Sequence, residues 1–327
     1  MVDLSTRYLG LELKCPVVVG SCGWTSRVDK IRELEDGGVG AVVLKSLFEE
    51  QILAELDVNL EGYNSDYPEA ADYIRGYTRD NSLEKYLNLI SDSKKSVDIP
   101  VIASINCVSA SEWISFAAEI EKAGADAIEL NVSMLPSNPR VSCTEGEEKY
   151  IEAVDKVAGA VSIPLALKMS PFSSGLAHLI TNLGWKQGIA GFVLFNRYYR
   201  PDIDIDKLCF TSAKMFSVEE EMYETLRWIA LLASRVEKDF IAGTGIHDSG
   251  GLIKQLLAGA TGVQVVSALY NNGISYLQTI LNELSQWMEE KSFNRLADFR
   301  GKLGYTESED PRFFERTQFM RYYGGIK

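Results

Sequence analysis

The feature that most constrains the fold is a regular alternation of apolar, β-branched runs with segments of helical periodicity. The pattern predicts eight strands, at residues 15–21, 41–46, 100–106, 127–133, 164–170, 191–196, 240–245 and 262–269. Each run is almost continuously apolar, which is typical of strands that are buried on both faces in a parallel sheet covered by helices.

Helical patterns separate these runs. Residues 110–124, 147–161, 218–238, 250–260 and 275–290 carry apolar positions at a spacing of three and four. Eight strand-plus-helix units in succession predict an α/β fold, a (β/α)8 TIM barrel over residues 15–290 within a single domain. A short N-terminal segment, 2–14, precedes it, and an aromatic tail, 291–327, is expected to pack on the barrel or on a partner subunit. A doubly wound open sheet is the alternative, but no GxGxxG follows the first strand.

The net charge and the spacing of the cysteines argue against several classes of partner and site. The formal charge is −13, which argues against nucleic acid as a partner because phosphate backbones require a positive surface. No apolar run reaches the roughly 20 residues that span a bilayer, and the first ten residues do not resemble a secretory signal, so no membrane association is expected. Five cysteines without CxxC spacing favour free cytoplasmic thiols, and only two histidines argue against a metal site.

The active site of such a barrel lies where the strands end. The strand-end residues predicted to face it are Ser21, Lys45, Ser46, Asn106, Asn131, Lys168, Asn196, Gly243, Thr244, Gly245 and Ser267. Lys45 and Lys168 follow apolar runs, and an unpaired ammonium is costly to bury. Two interpretations remain: the lysines reach solvent, or they point at an anionic ligand or a ring that gains negative charge. The asparagines could equally cap strand ends.

A glycine pair follows the seventh strand in the run FIAGTGIHDSGG, and the run GVQVVSAL forms the next strand. In many barrels these two loops bind a phosphate through backbone N–H groups, although such loops also occur empty. Together with the lysines, they predict a phosphorylated cofactor across the mouth of the barrel.

The ordered motifs resemble those of the dihydroorotate dehydrogenase family. They are VVLKS, IELNVS, LALKMS, FVLFN, FIAGTGI, LAGATGVQVVSAL and, near the C-terminus, LADFRGKLGY. The resemblance covers residues 2–305 and is closer to the soluble class of that family. It implies a cytoplasmic homodimer that binds FMN and takes part in pyrimidine biosynthesis.

The resemblance also implies roles for single residues. Lys45 and Ser46 would contact the flavin, Lys45 and Asn131 would also contact the substrate, and Lys168 would stabilise the reduced ring. Asn196 and, from the loop after the second strand, Asn64 would bind the substrate. Gly243, Thr244, Gly245 and Ser267 would surround the phosphate, while Ser21 and Asn106 are further cofactor contacts at strand ends.

The sequence departs from the family at the catalytic base. Family members carry Cys or Ser three residues after the fourth-strand asparagine, and here that position is Met134. A thioether has no proton to exchange and cannot act as a general base. Cys143, Asp66 and Tyr67 are the candidate replacements. Val266 also stands where the family has a glycine beside the phosphate.

These observations predict an FMN-dependent oxidoreductase that transfers hydride between flavin N5 and a cyclic or carboxylated small molecule, with dihydroorotate itself in question because of Met134. The segment NRYYRPD, 196–202, adds two arginines that would suit an anionic or planar substrate, unless it is a solvated loop. Two alternatives remain: a flavin-binding barrel that acts as an interaction protein, and a flavin-free aldolase-type barrel that uses a lysine as a Schiff base.

Overall fold

The chain folds around a closed barrel of parallel strands. The structure is a computed structural model that describes residues 2–48, 68–106, 110–132, 135–198, 200–212, 214–307 and 314. In chain order the strands are β1 Thr6–Tyr8, β2 Leu11–Leu13, β3 Val17–Val19, β4 Ala41–Val43, β5 Leu47–Phe48, β6 Val101–Asn106, β7 Ala127–Asn131, β8 Leu165–Lys168, β9 Ile189–Leu194, β10 Pro201–Asp204, β11 Cys209–Ser212, β12 Asp239–Ala242 and β13 Gly262–Val265.

Eight of these strands form the barrel wall. The order β4-β3-β13-β12-β9-β8-β7-β6 is closed by a pairing of β4 with β6, and every pairing in the ring is parallel. The short strand β5 adds to the edge of β6. The predicted (β/α)8 barrel is therefore confirmed, and the open-sheet alternative is wrong.

Helices surround the barrel. They are α1 Val28–Asp36, α2 Pro68–Ser96, α3 Ala110–Lys122, α4 Cys143–Ala158, α5 Leu176–Gly184, α6 Met222–Leu232, α7 Ser249–Ala258, α8 Ser267–Asn272 and α9 Tyr276–Glu290. Among the described residues, no helix is both long enough and apolar enough to cross a lipid bilayer.

Several predicted boundaries were wrong. Seven of the eight barrel strands end two to four residues earlier than expected, because the backbone leaves the parallel ladder there; the N–H of Lys45, for example, donates to the carbonyl of Thr25. Residues 267–269 begin a helix instead of continuing a strand. The predicted helix 218–238 covers only Met222–Leu232 and is preceded by a 3-10 turn, Glu219–Glu221. No helix was predicted at α1, α2, α5 or α8.

Helix α4 begins four residues before the predicted start for a local reason. Ser142 accepts a hydrogen bond from the backbone N–H of Glu145, and the Glu145 carboxylate accepts one from the backbone N–H of Ser142. This reciprocal capping box satisfies two N–H groups that an α-helix leaves unpaired at its start. The first residue of α4 is therefore Cys143.

Two apolar regions hold the barrel together. Inside it, Val18, Ile102, Val193 and Ile241 pack against one another. The antiparallel hairpin β1–β2 closes the amino-terminal end of the barrel by adding Tyr8, among others, to this cluster. A larger cluster fills the space between strands and helices. Because the apolar interior ends below the strand termini, the upper interior is left to polar side chains.

After the last helix, the described residues return to the barrel. Phe293 and Phe299 stack on each other with ring centroids 5.2 Å apart, and both contact Trp287 of α9. Phe314 is half-buried against the core. The guanidinium of Arg235 lies over the ring of Tyr305, 3.5 Å from its centroid. Phe313, Phe319, Tyr322 and Tyr323 lie outside the described residues.

Candidate active site

A cavity of about 330 Å³ opens at the carboxyl ends of the barrel strands, the end where barrel enzymes carry their active sites. Seven of the predicted site residues line it: Ser21, Lys168, Asn196, Gly243, Thr244, Gly245 and Ser267. Its other walls are formed by Phe195, Arg197, Met215, Phe216, Ser217, Ile246, Gln264 and Val266.

Four further predicted residues lie outside this lining. Ser46 is buried, and its hydroxyl is 3.0 Å from that of Ser21. Asn131 ends β7 directly beside Lys168, its partner in register on β8. Asn106 is half-buried at the end of β6. The side chain of Lys45 is exposed, and its backbone N–H donates to the carbonyl of Thr25.

A closed ring of hydrogen bonds lies at the floor of the cavity. The ammonium of Lys168 is 3.2 Å from Glu129 Oε1 and donates to Gln264 Oε1 at 3.0 Å. Gln264 Nε2 donates in turn to Glu129 Oε2. Glu129 is 1% exposed and the Lys168 side chain 14%. The inner wall of the barrel therefore holds one buried carboxylate and one buried cation, each joined to the other and to the same amide.

Asn131 presents an unusual acceptor beside this ring. Its side-chain Oδ1 is buried and has no hydrogen-bond donor within the described residues. Leaving such an acceptor unsatisfied costs about 1–3 kcal/mol. The position therefore favours a ligand that brings an N–H or O–H group.

Three serine hydroxyls connect the cavity to the barrel interior. Ser104 Oγ lies 2.7 Å from Ser46 Oγ, which lies 3.0 Å from Ser21 Oγ, and the backbone N–H of Ser46 also donates to Ser21 Oγ. Either hydroxyl of each pair can be the donor, so the three hydroxyls form one continuous hydrogen-bonded chain that ends at Ser21 on the cavity wall.

The glycine loop after β12 adds backbone donors. Thr244 and Gly245 have φ angles of +69° and +79°, and Thr244 is held there by a bond from its hydroxyl to the carbonyl of Phe195 at 3.1 Å. Their backbone N–H groups have no acceptor within the described part of the chain. Ser267, at the start of α8, accepts a hydrogen bond from the backbone N–H of Ser217. Two free N–H groups and nearby hydroxyls suit an anion.

Residues 214–218, named the strap below, form a further wall of the cavity. Arg197 fastens the strap: its guanidinium donates to the carbonyls of Lys214, Met215 and Phe216 and to both carboxylate oxygens of Glu221. These contacts engage the Nε–H, the Nη2 hydrogens and one Nη1 hydrogen, so most of its donors hold the strap, and a role toward an anionic substrate stays a prediction. Arg200, the second arginine of the segment, also pairs with Glu221, at 3.1 Å.

Glu221 is the carboxylate that these two arginines share. Partial burial raises its pKa, but the hydrogen bonds from Arg197 and from the backbone of Val218, with the charges of Arg197 and Arg200, outweigh burial, and the resulting pKa lies below the usual value. Glu221 therefore stays ionised near neutral pH and keeps the strap fastened.

Replacement of Arg197 by lysine should release the strap, because a single ammonium cannot reproduce a planar fork that reaches four residues. We expect trypsin to cleave after Lys214 at least tenfold faster than in the unaltered chain, as measured by mass spectrometry of timed digests. The matched control is Arg200→Lys, which alters the ion pair of an exposed arginine with Glu221 but no contact to the strap carbonyls, and it should change the rate little. Equal rates for the two variants would contradict the role given to Arg197.

The catalytic base remains unassigned within the described residues. Met134, Asn64, Asp66 and Tyr67 lie outside them. Cys143 is exposed at the first turn of α4, where the hydroxyl of Ser174 donates to its sulfur at 3.2 Å. It does not line the cavity.

Glu129, Gln264 and Ser104 were missed by the sequence analysis, which examined only the residues that end each strand. Glu129 lies two residues before Asn131, so strand alternation directs it to the same inner face. It is a charge inside an otherwise apolar run, which is the signal that identified Lys168. Applied to the inward-facing residue two positions before the strand end, the same criterion would have identified Glu129.

A second depression, of about 460 Å³, lies at the opposite end of the barrel. It is lined by Arg7, Asp239 and Arg300 among others, and it contains none of the predicted site residues. Burial raises the pKa of Asp239, although bonds from the Leu9 backbone and Thr261 oppose that effect.

Known proteins that this chain resembles are described as dihydroorotate dehydrogenases. The family model described as dihydroorotate dehydrogenase matches residues 78–288, more than half of the chain. The dihydroorotate dehydrogenase B (NAD(+)) catalytic subunit of Thermoplasma acidophilum is 24% identical over 318 residues, covering 92% of this chain and 99% of that protein. The protein of the same description from Pyrococcus furiosus is 26% identical over 315 residues, covering 92% and 98%. That from Methanothermobacter thermautotrophicus is 25% identical over 308 residues, covering 91% and 97%.

Proposed function

The chain belongs to the dihydroorotate dehydrogenase family, and on that premise we propose that it is an FMN-dependent oxidoreductase acting on dihydroorotate or a related cyclic, carboxylated compound. The observation that carries the proposal is a matched donor and acceptor at adjacent strand ends. Lys168 presents an ammonium, and Asn131, its neighbour in register, presents a buried oxygen that has no donor among the described residues. This pair complements the alternating N–H and C=O groups on the edge of a pyrimidine-type ring.

The rest of the cavity also suits FMN. Its volume of about 330 Å³ falls in the range of small-molecule sites. The free backbone N–H groups of Thr244 and Gly245, with the hydroxyl of Ser267, would hold the phosphate. Lys168, Asn131 and Ser21 would hold the ring. Lys45 and Ser46 are assigned to the flavin by the family resemblance, and Asn106 by its place at the end of β6.

Val266 replaces the family glycine in this cavity without closing it. Its side chain packs toward Gly20, where an added Cβ would lie 3.0 Å from Val266 Cγ2. The absence of a side chain at Gly20 therefore provides the space that the valine occupies. Val266 still lines the cavity, which keeps a volume of about 330 Å³.

When bound, FMN would supply a two-electron acceptor for a hydride from the substrate. The protein's own part is electrostatic and positional. Lys168 would place a fixed positive charge beside the ring edge that becomes more negative, a preorganised form of stabilisation. Asn131, Asn196 and Lys45 would orient the substrate. A proton must also leave the substrate, and no described residue is assigned to accept it.

The Schiff-base alternative is disfavoured by the partner of Lys168. A Schiff base forms from a neutral amine, whereas the carboxylate of Glu129, at 3.2 Å, is a partner for an ammonium. Borohydride in the presence of a carbonyl substrate is therefore expected to leave the mass of the chain unchanged.

An absorption spectrum of the purified chain tests the proposed function. After addition of FMN and removal of the excess, we expect flavin bands, and anaerobic addition of dihydroorotate or an analogue should bleach them. Bands that no cyclic carboxylated compound bleaches would contradict the catalytic part of the proposal. A chain that retains no flavin would contradict the proposal as a whole.

A further inference from the structure

The ring of Glu129, Lys168 and Gln264 accounts for nearly all the hydrogen-bonding capacity of Lys168. An ammonium has three hydrogens. One is directed to Glu129 Oε1 and a second to Gln264 Oε1. Lys168 lines the cavity while Glu129 lies behind it. Within the described residues one hydrogen is therefore left for a ligand, and its direction is fixed by the two groups that hold the others.

Packing alone does not explain the ring. One layer deeper, the inner wall is filled by apolar side chains such as Ile102 and Val193. Replacing a buried ion pair with well-packed apolar residues is often neutral or stabilising, because taking two charges out of water is costly. A carboxylate that is 1% exposed beneath the site is therefore better explained by what it does to Lys168.

The charges around the cavity are balanced in pairs. Among the described residues that line it, the cations are Lys168 and Arg197. Lys168 is paired with Glu129, and Arg197 is paired with Glu221, which is 6% exposed. Loss of Glu129 would leave one uncompensated positive charge at the floor.

We propose that Glu129, together with Gln264, is a positioning residue that directs the free hydrogen of Lys168 into the cavity and partly offsets its charge. The inference rests on the proposed function, since it concerns how Lys168 acts on a bound flavin. Glu129 makes no contact with the ligand: it acts through Lys168. It keeps the cation from binding the reduced, more negative ring too strongly relative to the oxidised ring.

The test compares the affinities for oxidised and reduced FMN, measured anaerobically with the full chain. Glu129→Gln keeps the size of the side chain and removes the charge, and its single amide oxygen can still accept from Lys168. We expect the preference for reduced over oxidised FMN to rise at least tenfold, equivalent to about 30 mV in the two-electron potential. Glu289→Gln, which removes an exposed carboxylate on α9, is the matched control and should leave the preference within twofold.

A second variant separates position from charge. Glu129→Asp keeps the charge but withdraws the carboxylate by one methylene, so it can no longer reach Lys168 and Gln264 together. Dissociation constants for both forms of FMN should increase at least fivefold, while their ratio stays within twofold. This variant also serves if Glu129→Gln does not fold.

The outcomes are distinguishable. An unaltered chain that binds no FMN would overturn the proposed function and this inference with it. FMN bound by the unaltered chain, with an unchanged or reduced preference in Glu129→Gln, would overturn the charge role alone. Unchanged dissociation constants in Glu129→Asp would overturn the positioning role.

Discussion

Replacement of Lys168 by methionine is expected to lower the free energy of unfolding by about 3–5 kcal/mol, because it leaves the carboxylate of Glu129 buried without its cation. Glu129 is 1% exposed, and a methionine side chain carries no charge that could replace the ammonium. The measurement is chemical denaturation of the flavin-free chain, followed by circular dichroism. It depends on no assumption about cofactor or substrate.

Two controls isolate the cause. The double variant Glu129→Gln/Lys168→Met removes both charges and should recover most of the lost stability. Lys186→Met breaks a comparable lysine–carboxylate pair with Asp155, but at the surface, where both side chains are at least one-third exposed. Its effect should stay below about 1 kcal/mol. If Lys168→Met and Lys186→Met destabilise the chain equally, the carboxylate is not isolated from water as described.

The same pairing shows what sequence patterns reveal about this site. Lys168 could be predicted because a cation at the end of an apolar run has few explanations, and strand alternation then gives its direction. Its partner Gln264 lies across the barrel, 96 residues away. Lys168 and Gln264 come together only because the strands close into a barrel. The pattern of a single strand therefore identifies the cation but not its hydrogen-bond partners.

The fold itself was largely predictable. Strands buried on both faces require nearly continuous apolar runs, and eight such runs in alternation with helices leave few architectures. The ends of the strands were less predictable. Residues such as Ser46 and Ser170 continue the runs in sequence but leave the ladder in space, because their hydroxyls have partners elsewhere.

The contacts of Arg197 could not be predicted from the residues next to it in the sequence. Its place after Asn196 suggested an anionic substrate, and a loop arginine beside an active site often has that role. In the structure, the Arg197 guanidinium donates hydrogen bonds to residues that lie 17 to 24 positions later in the chain. These partners approach only because the hairpin of β10 and β11 folds the chain back, and no feature of the segment 196–202 indicates that return.

Gly245 is the position in the cavity where a single methyl group should do most damage. Its φ of +79° lies in the left-handed region, where side chains other than hydrogen are disfavoured. A Cβ there would overlap the backbone N of Met222 and would lie 3.0 Å from both Glu221 C and Met222 Cα. These are backbone atoms at the start of α6, so they cannot rotate away as a flexible side chain could.

We expect Gly245→Ala to lower the free energy of unfolding by about 2–5 kcal/mol, as the sum of backbone strain and overpacking. The alternative to unfolding is a displacement of the loop from α6, which would move the free N–H groups of Thr244 and Gly245 and weaken FMN binding. Gly124→Ala is the matched control, since Gly124 has a φ of +96° with no atom within 4 Å of an added Cβ. It should cost only the left-handed penalty of about 1–2 kcal/mol. Because the two variants share the backbone strain, the difference between their unfolding free energies measures the contact with α6. A difference near zero, together with unchanged FMN binding, would show that the loop has room to move and that its observed geometry is not required for the cavity.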